Sequence, residues 1–172
     1  SVIGAMYLSG IKDAVLADIG GTTTDIACLE HGKVKVSEDG ACVAGWRTRV
    51  RAIDIYTKGL GGDSNIEIDD DGTTRFGPQK VTPLCLAAKH LPEFNGTEVG
   101  FTPTDLAHIK GIYDKWDSRA SRDWLAKQAE RFHTSEEALY QKLEQSFLDH
   151  IHEALVESDQ YSEGDLIIGI GA

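Results

Sequence analysis

The sequence predicts an α/β protein in which helices pack on a sheet, and three observations carry this prediction. The front half of the chain is rich in β-strand signals, the rear half shows helical periodicity, and residues 165–170 form one further apolar strand. A chain of 172 residues that is 41% hydrophobic can bury a core of the usual size for one domain. We therefore expect residues 1–172 to form a single folded unit.

Both ends of the chain predict that it is a fragment of a larger protein. Residues 1–10 are typical of the rear half of a helix that ends at Gly10, because no helix start signal precedes them. Residues 165–172 predict a buried strand that enters a glycine turn and then stops. A strand of this kind normally leads to a further element.

The first glycine-rich segment predicts a hairpin that binds phosphate and metal. Two short apolar strands, residues 13–17 and 26–29, are joined by the run Gly20-Gly21-Thr22-Thr23. Adjacent glycines allow positive φ and a close approach of backbone N–H groups to an anion, and threonine hydroxyls add donors. Asp18 and Asp25 bracket the run and can hold a divalent cation directly or through water. An ordinary Gly-Gly hairpin turn is the alternative, and the two aspartates favour the functional interpretation.

The remaining β signals lie in residues 33–36, 45–55, 65–69 and 73–76. The last two of these segments are joined by Asp70-Asp71-Gly72, which is a typical Asp-Gly hairpin turn. The front half of the chain therefore supplies most of the predicted sheet.

A second glycine-rich segment follows the apolar strand at residues 52–56. It contains Gly59, Gly61 and Gly62, and then offers a carboxylate and a hydroxyl at Asp63 and Ser64. Three glycines in four positions indicate a backbone that bends sharply or admits a ligand. A purely structural loop is the alternative, and the presence of two such loops favours a binding role.

The rear half of the chain is predicted to be helical. Thr102 as N-cap, Pro103 in the first turn and Asp105 as an acid at the third position indicate a helix start. A second helix is expected over residues 121–132. The run 134–137 predicts a capping box led by Thr134, which opens a long helix with the apolar face Leu139, Leu143, Phe147, Ile151 and Leu155.

Composition excludes several classes of function. The formal net charge of −11 argues against a nucleic-acid surface, which needs clustered Lys and Arg. No apolar run approaches the length of a membrane span, and the first residues lack the basic start and long apolar run that are typical of a signal peptide. Cys28, Cys42 and Cys85 are too few and too scattered for a disulfide framework or a zinc cluster. These features predict a soluble, cytoplasmic protein that binds neither nucleic acid nor membrane.

With both glycine segments in view, the chain resembles the hydantoinase/oxoprolinase family, specifically its hydantoinase A domain. The matching segments are residues 18–25, residues 54–64, the helix start at Thr104 and Asp105, and the closing glycine turn, and they keep this order along the chain. Loops related to the first segment also occur across the actin-like ATPase superfamily.

The resemblance implies a ribonuclease-H-like half with a mixed sheet, whose opposite half lies upstream of Ser1. It implies ATP and a divalent metal, Mg²⁺ by preference, and a reaction in which a cyclic amide such as 5-oxoproline or a hydantoin is hydrolysed. A second hydantoinase-type subunit is an implied partner. Two alternatives stay open: a non-catalytic, chaperone-like module that switches with ATP, and half of a small-molecule kinase.

These arguments predict a set of site residues. Asp18 and Asp25 are the candidate catalytic residues and, together with Asp105, the candidate metal ligands. For Asp25 a turn-capping role and for Asp105 a helix-capping role are the alternatives. His108 is interpreted as a partly exposed helix residue rather than a catalytic base. The candidate nucleotide-binding residues are Gly20, Gly21, Thr22, Thr23, Gly61, Gly62, Asp63 and Ser64.

Overall fold

The computed structural model describes residues 2–37, 42–43, 46–47, 52–90 and 98–171. Its strands are concentrated in the front half of the chain and its helices in the rear half. In chain order they are α1 (Val2–Ser9), β1 (Ala14–Ile19), β2 (Thr24–Glu30), β3 (Lys33–Val34), β4 (Val36–Ser37), β5 (Cys42–Val43), β6 (Trp46–Arg47), β7 (Ala52–Ile53), β8 (Ile55–Lys58), β9 (Ser64–Ile68), β10 (Thr74–Lys80), β11 (Thr82–Pro83), α2 (Leu84–His90), β12 (Val99–Gly100), α3 (Pro103–Lys110), α4 (Arg119–Arg131), α5 (Glu136–Glu157) and β13 (Ile167–Gly171).

The contacts divide the chain into two compact units. The first consists of Ser1–Lys58 and Ile151–Ala172, and the second of Gly59–His150. The boundary between them falls within α5. In the described part of the chain, no helix is both long and apolar enough to cross a membrane.

A five-stranded mixed sheet forms the centre of the first unit. Its strand order is β13-β1-β2-β3, and β8 also pairs with β2. The β1–β13 pair is parallel, whereas β2 pairs antiparallel with β1, β3 and β8. The prediction of a mixed sheet with helices packed on it is therefore confirmed. The helix α1 packs on the sheet through a cluster made of Ala5, Leu16, Leu29, Met6, Val34, Ile168 and Ile170.

The predicted hairpin at the first glycine segment is confirmed. The strands β1 and β2 are joined by the four residues between Ile19 and Thr24, and the Gly20 N–H donates to the Thr23 carbonyl at 2.8 Å. The predicted helix end at Gly10 is also confirmed, because Gly10 has φ +67° and its N–H donates to the Met6 carbonyl.

The closing strand differs from its prediction. It was expected to be buried, but β13 lies at the end of the described strand order, and Leu166 and Ile167 are 53% and 41% exposed. In the described sheet, β13 has a neighbouring strand on one side only, and two of its five positions are glycine. Its apolar side chains are therefore only partly covered. Part of the predicted strand at residues 45–55 lies outside the described residues.

A hairpin, a short parallel strand pair and helices form the second unit around an apolar core. The strands β9 and β10 pair antiparallel around the predicted Asp-Gly turn, where Gly72 has φ +82°. At the centre of this core Phe101 stacks on Trp124 at a ring distance of 4.0 Å. The core consists of Ile66, Phe101, Leu106, Leu125, Ala129, Leu139, Tyr140 and Leu143.

The predicted helices are present, with two corrections. The N-cap of α5 is Ser135 rather than Thr134, because the Ser135 Oγ accepts from the Ala138 N–H at 3.1 Å. The helix α2 was not predicted. The capping box at the start of α3 is confirmed.

Candidate functional site

Two carboxylates face each other across the first hairpin. In the antiparallel register of β1 and β2, Asp18 pairs directly with Asp25, and Asp25 pairs in turn with Thr57 on β8. Paired positions in an antiparallel sheet place their side chains on the same face. Asp18, Asp25 and Thr57 therefore form a polar row across three neighbouring strands, and the Thr57 hydroxyl donates to Asp25 Oδ1 at 2.7 Å.

This arrangement is electrostatically unfavourable without a cation. Side chains that are directly opposed in this way have Cβ atoms about 4.5–5.5 Å apart, and like charges at that distance repel. Both aspartates are half-buried. Among the described residues, Asp18 has no hydrogen-bond or ion-pair partner for its carboxylate. The pair therefore presents unshared oxygens on one face of the sheet.

The oxygens of Asp18 and Asp25 fit a hard divalent cation, whose preferred ligands are carboxylate, phosphate and water oxygens. Within the described ranges, no group of three or more His, Cys, Asp and Glu side chains could hold a metal ion by itself. A cation at Asp18 and Asp25 would therefore complete its coordination with substrate phosphate and water, as Mg²⁺ commonly does.

The turn beside the two carboxylates is open to solvent. Gly20, Gly21 and Thr22 are exposed and Thr23 is half-buried. The sequence predicted positive φ angles at the glycines, but the φ of Gly20 is not positive. A Cβ on Gly20 would instead lie 3.3 Å from the Thr23 carbonyl, so the glycine permits a tight closure of the turn. The backbone of this turn is accessible to an anion.

The opposite face of β8 carries a different set of contacts. Tyr56 OH donates to Glu157 Oε2 at 2.6 Å, and Lys58 forms an ion pair with the same carboxylate. The hydrogen bond to Glu157 raises the pKa of Tyr56 to about 12. These contacts tie β8 to the end of α5, and they alternate along the strand with Thr57.

The second glycine segment is held together by its own hydrogen bonds. Ser64 is 3% exposed, its Oγ accepts from the Gly61 N–H at 2.9 Å, and its N–H donates to the Gly61 carbonyl at 3.1 Å. The Gly62 carbonyl accepts from both the N–H and the hydroxyl of Thr104. Asp63 lies 3.4 Å from Lys80 Nζ. The structure thus brings Gly61, Gly62, Asp63 and Ser64 together in the second unit.

Replacing Ser64 by alanine is expected to lower the free energy of unfolding by about 1–2 kcal/mol, because the buried Gly61 N–H loses its acceptor. Urea denaturation monitored by tryptophan fluorescence measures this change. The exposed Ser162 provides a control, since its replacement by alanine should change stability by less than about 0.5 kcal/mol. An unchanged stability of S64A would contradict the structural role of the hydroxyl.

Asp105 is fully buried, and its carboxylate accepts five hydrogen bonds. Oδ1 accepts from the Cys85 N–H at 2.8 Å and from the Ser121 hydroxyl at 2.6 Å. Oδ2 accepts from the Thr102 N–H and hydroxyl, both at 2.9 Å, and from the Leu84 N–H at 3.2 Å. Asp105 therefore completes the capping box of α3 and also caps the start of α2.

Five hydrogen bonds leave the Asp105 carboxylate little capacity for a metal, and its capping role accounts for its position. Burial, together with the Asp105 carboxylate, raises the pKa of the Cys85 thiol, so this cysteine stays protonated and is a poor nucleophile. None of the donors to Asp105 belongs to the predicted binding residues.

His108 was expected to be partly exposed, but it is 4% exposed. Its Nδ1 lies 2.9 Å from the Thr104 carbonyl, and its ring stacks on Trp116 and meets the edge of Tyr113. Because aromatic rings and the α3 backbone surround it, the imidazole belongs to the packing of the second unit.

Thr57 is the site residue that sequence reasoning missed. Its hydroxyl contacts Asp25 only because β8 pairs with β2, although 32 positions separate the two residues in sequence. The sequence predicted an apolar strand at residues 52–56, which ends just before Thr57, and no local signal indicated which strand it would pair with.

A family described as hydantoinase/oxoprolinase has a sequence model that matches residues 1–88. Caprolactamase subunit alpha from Pseudomonas jessenii is 34% identical over 102 residues, which are 57% of this chain and 14% of that protein. The acetophenone carboxylase gamma subunit from Aromatoleum aromaticum is 26% identical over 113 residues, which are 61% of this chain and 15% of that protein. The chain thus spans only a small part of the length of these relatives.

Two solved structures share the fold. Nucleotide-free acetone carboxylase, described in connection with ATP-dependent acetone carboxylation, matches 94% of this chain and 24% of its own with a TM-score of 0.67 and 24% identity. The ATP-dependent caprolactamase from Pseudomonas jessenii matches 99% of this chain and 26% of its own with a TM-score of 0.68 and 24% identity. The predicted α/β class, with a mixed sheet and helices packed on it, is confirmed.

Proposed function

Because the chain belongs to the hydantoinase/oxoprolinase family, we propose that it is the nucleotide-binding half of an ATP-dependent hydrolase that opens cyclic amides. Caprolactamase subunit alpha, whose name denotes an enzyme for a lactam, supports a cyclic amide as the substrate class. Two relatives by structure are described as ATP-dependent, which supports ATP as the nucleotide.

The observation that carries this proposal is the pair of opposed carboxylates beside an exposed glycine turn. Asp18 and Asp25 are direct register partners, and Gly20–Thr23 connects their strands. A sheet gains no stability from two facing aspartates, since like charges at paired positions repel. A divalent cation bound by both carboxylates and by phosphate would remove this repulsion, which explains why two aspartates face each other beside the turn.

We assign the following roles within the first unit. The backbone N–H groups and hydroxyls of Gly20, Gly21, Thr22 and Thr23 bind the nucleotide phosphates, while Asp18 and Asp25 hold Mg²⁺ or its coordinated waters. When bound, ATP with Mg²⁺ supplies the driving force that activates the amide carbonyl towards hydrolysis. The chain's own contribution is to position the phosphates and offset their charge, which are the main requirements of phosphoryl chemistry.

In the second unit we propose a smaller role for the second glycine segment. This segment forms a hydrogen-bonded turn, and we propose that it contributes secondary contacts to the nucleotide through Gly61, Gly62, Asp63 and Ser64. Asp105 is a helix-capping residue in this proposal rather than a metal ligand, because five hydrogen bonds satisfy its carboxylate. We further propose that the rest of the active protein includes an opposite half and a second subunit, since the two relatives by sequence are named as subunits.

An ATP-dependent carboxylase is the second candidate function. The match to the acetophenone carboxylase gamma subunit, together with the shared fold with acetone carboxylase, favours it. Such an enzyme would use the same phosphate and metal residues but would take a ketone and bicarbonate instead of a cyclic amide. The two candidates therefore differ in the substrate and not in the nucleotide site.

The test is ATP hydrolysis by the full-length protein, with its partner subunit where one is needed, in the presence of 5-oxoproline, hydantoins, caprolactam or small ketones with bicarbonate. We expect a cyclic amide to stimulate phosphate release, with the ring-opened product identified by mass spectrometry. Stimulation only by ketone and bicarbonate would favour the carboxylase. Slow hydrolysis that is the same with every compound would contradict both enzymes and favour an ATP-dependent switch.

A further inference from the structure

We infer that Thr57 is a positioning residue that orients Asp25 so that its Oδ2 atom, rather than Oδ1, binds the divalent cation. The inference rests on the proposed function, because it assumes that a cation binds at Asp18 and Asp25. It adds a residue to the site that lies outside both glycine segments.

The register of the sheet gives Thr57 this position. Asp25 on β2 is paired with Asp18 on one side and with Thr57 on the other. The hydrogen bond of 2.7 Å from Thr57 Oγ1 holds Asp25 Oδ1 on the β8 side. Among the described residues, Oδ2 makes no hydrogen bond, so it is the oxygen left for a ligand.

The local environment argues that this hydrogen bond serves orientation more than folding. Thr57 is exposed, as are Ile53 and Ile55 on the same stretch of chain. A hydrogen bond between accessible groups competes with water and adds little to stability. Carboxylates that bind metals are commonly held by an outer hydrogen bond, and loss of that bond typically lowers metal affinity.

Tyr56 provides a matched control on the opposite face of the same strand. Its hydroxyl donates to the Glu157 carboxylate at 2.6 Å, which is the same type of hydrogen bond as that of Thr57 to Asp25. Tyr56→Phe therefore removes a hydroxyl-to-carboxylate bond from β8 without touching the row formed by Asp18, Asp25 and Thr57.

The experiment titrates the full-length protein with Mn²⁺ in the presence of ADP and follows free Mn²⁺ by electron paramagnetic resonance. Thr57→Val is expected to raise the Mn²⁺ dissociation constant by about tenfold. Thr57→Ser keeps the donor and should stay within about twofold of the wild type, and Y56F should not change the constant. Valine suits an exposed strand position, and Thr57→Ala removes the donor in a second way if T57V does not fold.

The outcomes separate this inference from the proposed function. If Asp25→Asn weakens Mn²⁺ binding while T57V matches the wild type, the role of Thr57 is refuted and the metal site stands. If D25N itself binds Mn²⁺ as tightly as the wild type, the metal assignment in the proposed function fails. Equal weakening in T57V and Y56F would indicate a general effect on β8 and would also refute a specific role for Thr57.

Discussion

Replacing Asp18 or Asp25 by asparagine is expected to lower ATP hydrolysis by the full-length protein about 1000-fold, or about 4 kcal/mol in transition-state free energy. Asparagine keeps the size and one acceptor of aspartate but removes the charge that holds a divalent cation. The two residues are register partners beside the glycine turn, so either substitution leaves a single carboxylate at the site. Steady-state phosphate release at saturating ATP and Mg²⁺ measures the loss.

The same substitutions should behave differently in a stability measurement. Removing one of two facing negative charges relieves repulsion, so D18N and D25N should unfold at the same temperature as the wild type or slightly above it in metal-free buffer. Asp13→Asn is a matched control, because it removes a charge from the same unit, outside the opposed pair, and keeps an acceptor for the His31 N–H. Full activity in D18N or D25N would refute the assignment of these residues.

Asp105→Ala is expected to lower the free energy of unfolding by about 3–5 kcal/mol. The substitution leaves three backbone N–H groups and two hydroxyls without their shared acceptor in the core of the second unit. It removes the Asp105 side of the capping box of α3 together with the acceptor at the start of α2. Urea denaturation measures the change in stability.

Two further variants distinguish a capping role for Asp105 from the metal role that the sequence also allowed. Ser121→Ala removes one donor to Asp105 and should cost only about 1–2 kcal/mol. Asp105→Asn places an amide donor among these donors, so it should also destabilise the protein and leave Mn²⁺ affinity unchanged in the folded fraction. Weaker Mn²⁺ binding by D105N at wild-type stability would overturn the capping interpretation.

Features that depend on neighbouring residues were predictable from the sequence. The Gly20–Thr23 connection, the Asp-Gly turn before Gly72 and the capping box at Thr102 were all confirmed. Each of them is stabilised by hydrogen bonds between residues at most four positions apart, so the necessary groups are visible in a short window of sequence. The resemblance to the hydantoinase/oxoprolinase family also rested on such segments and was confirmed.

Features that depend on distant residues were missed or misjudged. The start of α2 was missed, and the acceptor for its Cys85 N–H is Asp105, which lies 20 positions away in sequence. His108 is buried against the rings of Tyr113 and Trp116, and the helical pattern alone did not predict these contacts. The strand β13 is more exposed than its apolar sequence indicated.

The sequence by itself determined most of the helices and strands of this protein, its two glycine turns and the position of Asp18 and Asp25 on either side of the first turn, since these features depend on residues close together in the chain. Only the tertiary structure decided that Thr57 joins this pair and that Asp105 caps two helices. The physical reason is that contacts between distant segments are selected by the packing of the whole sheet and core. No local propensity encodes that packing.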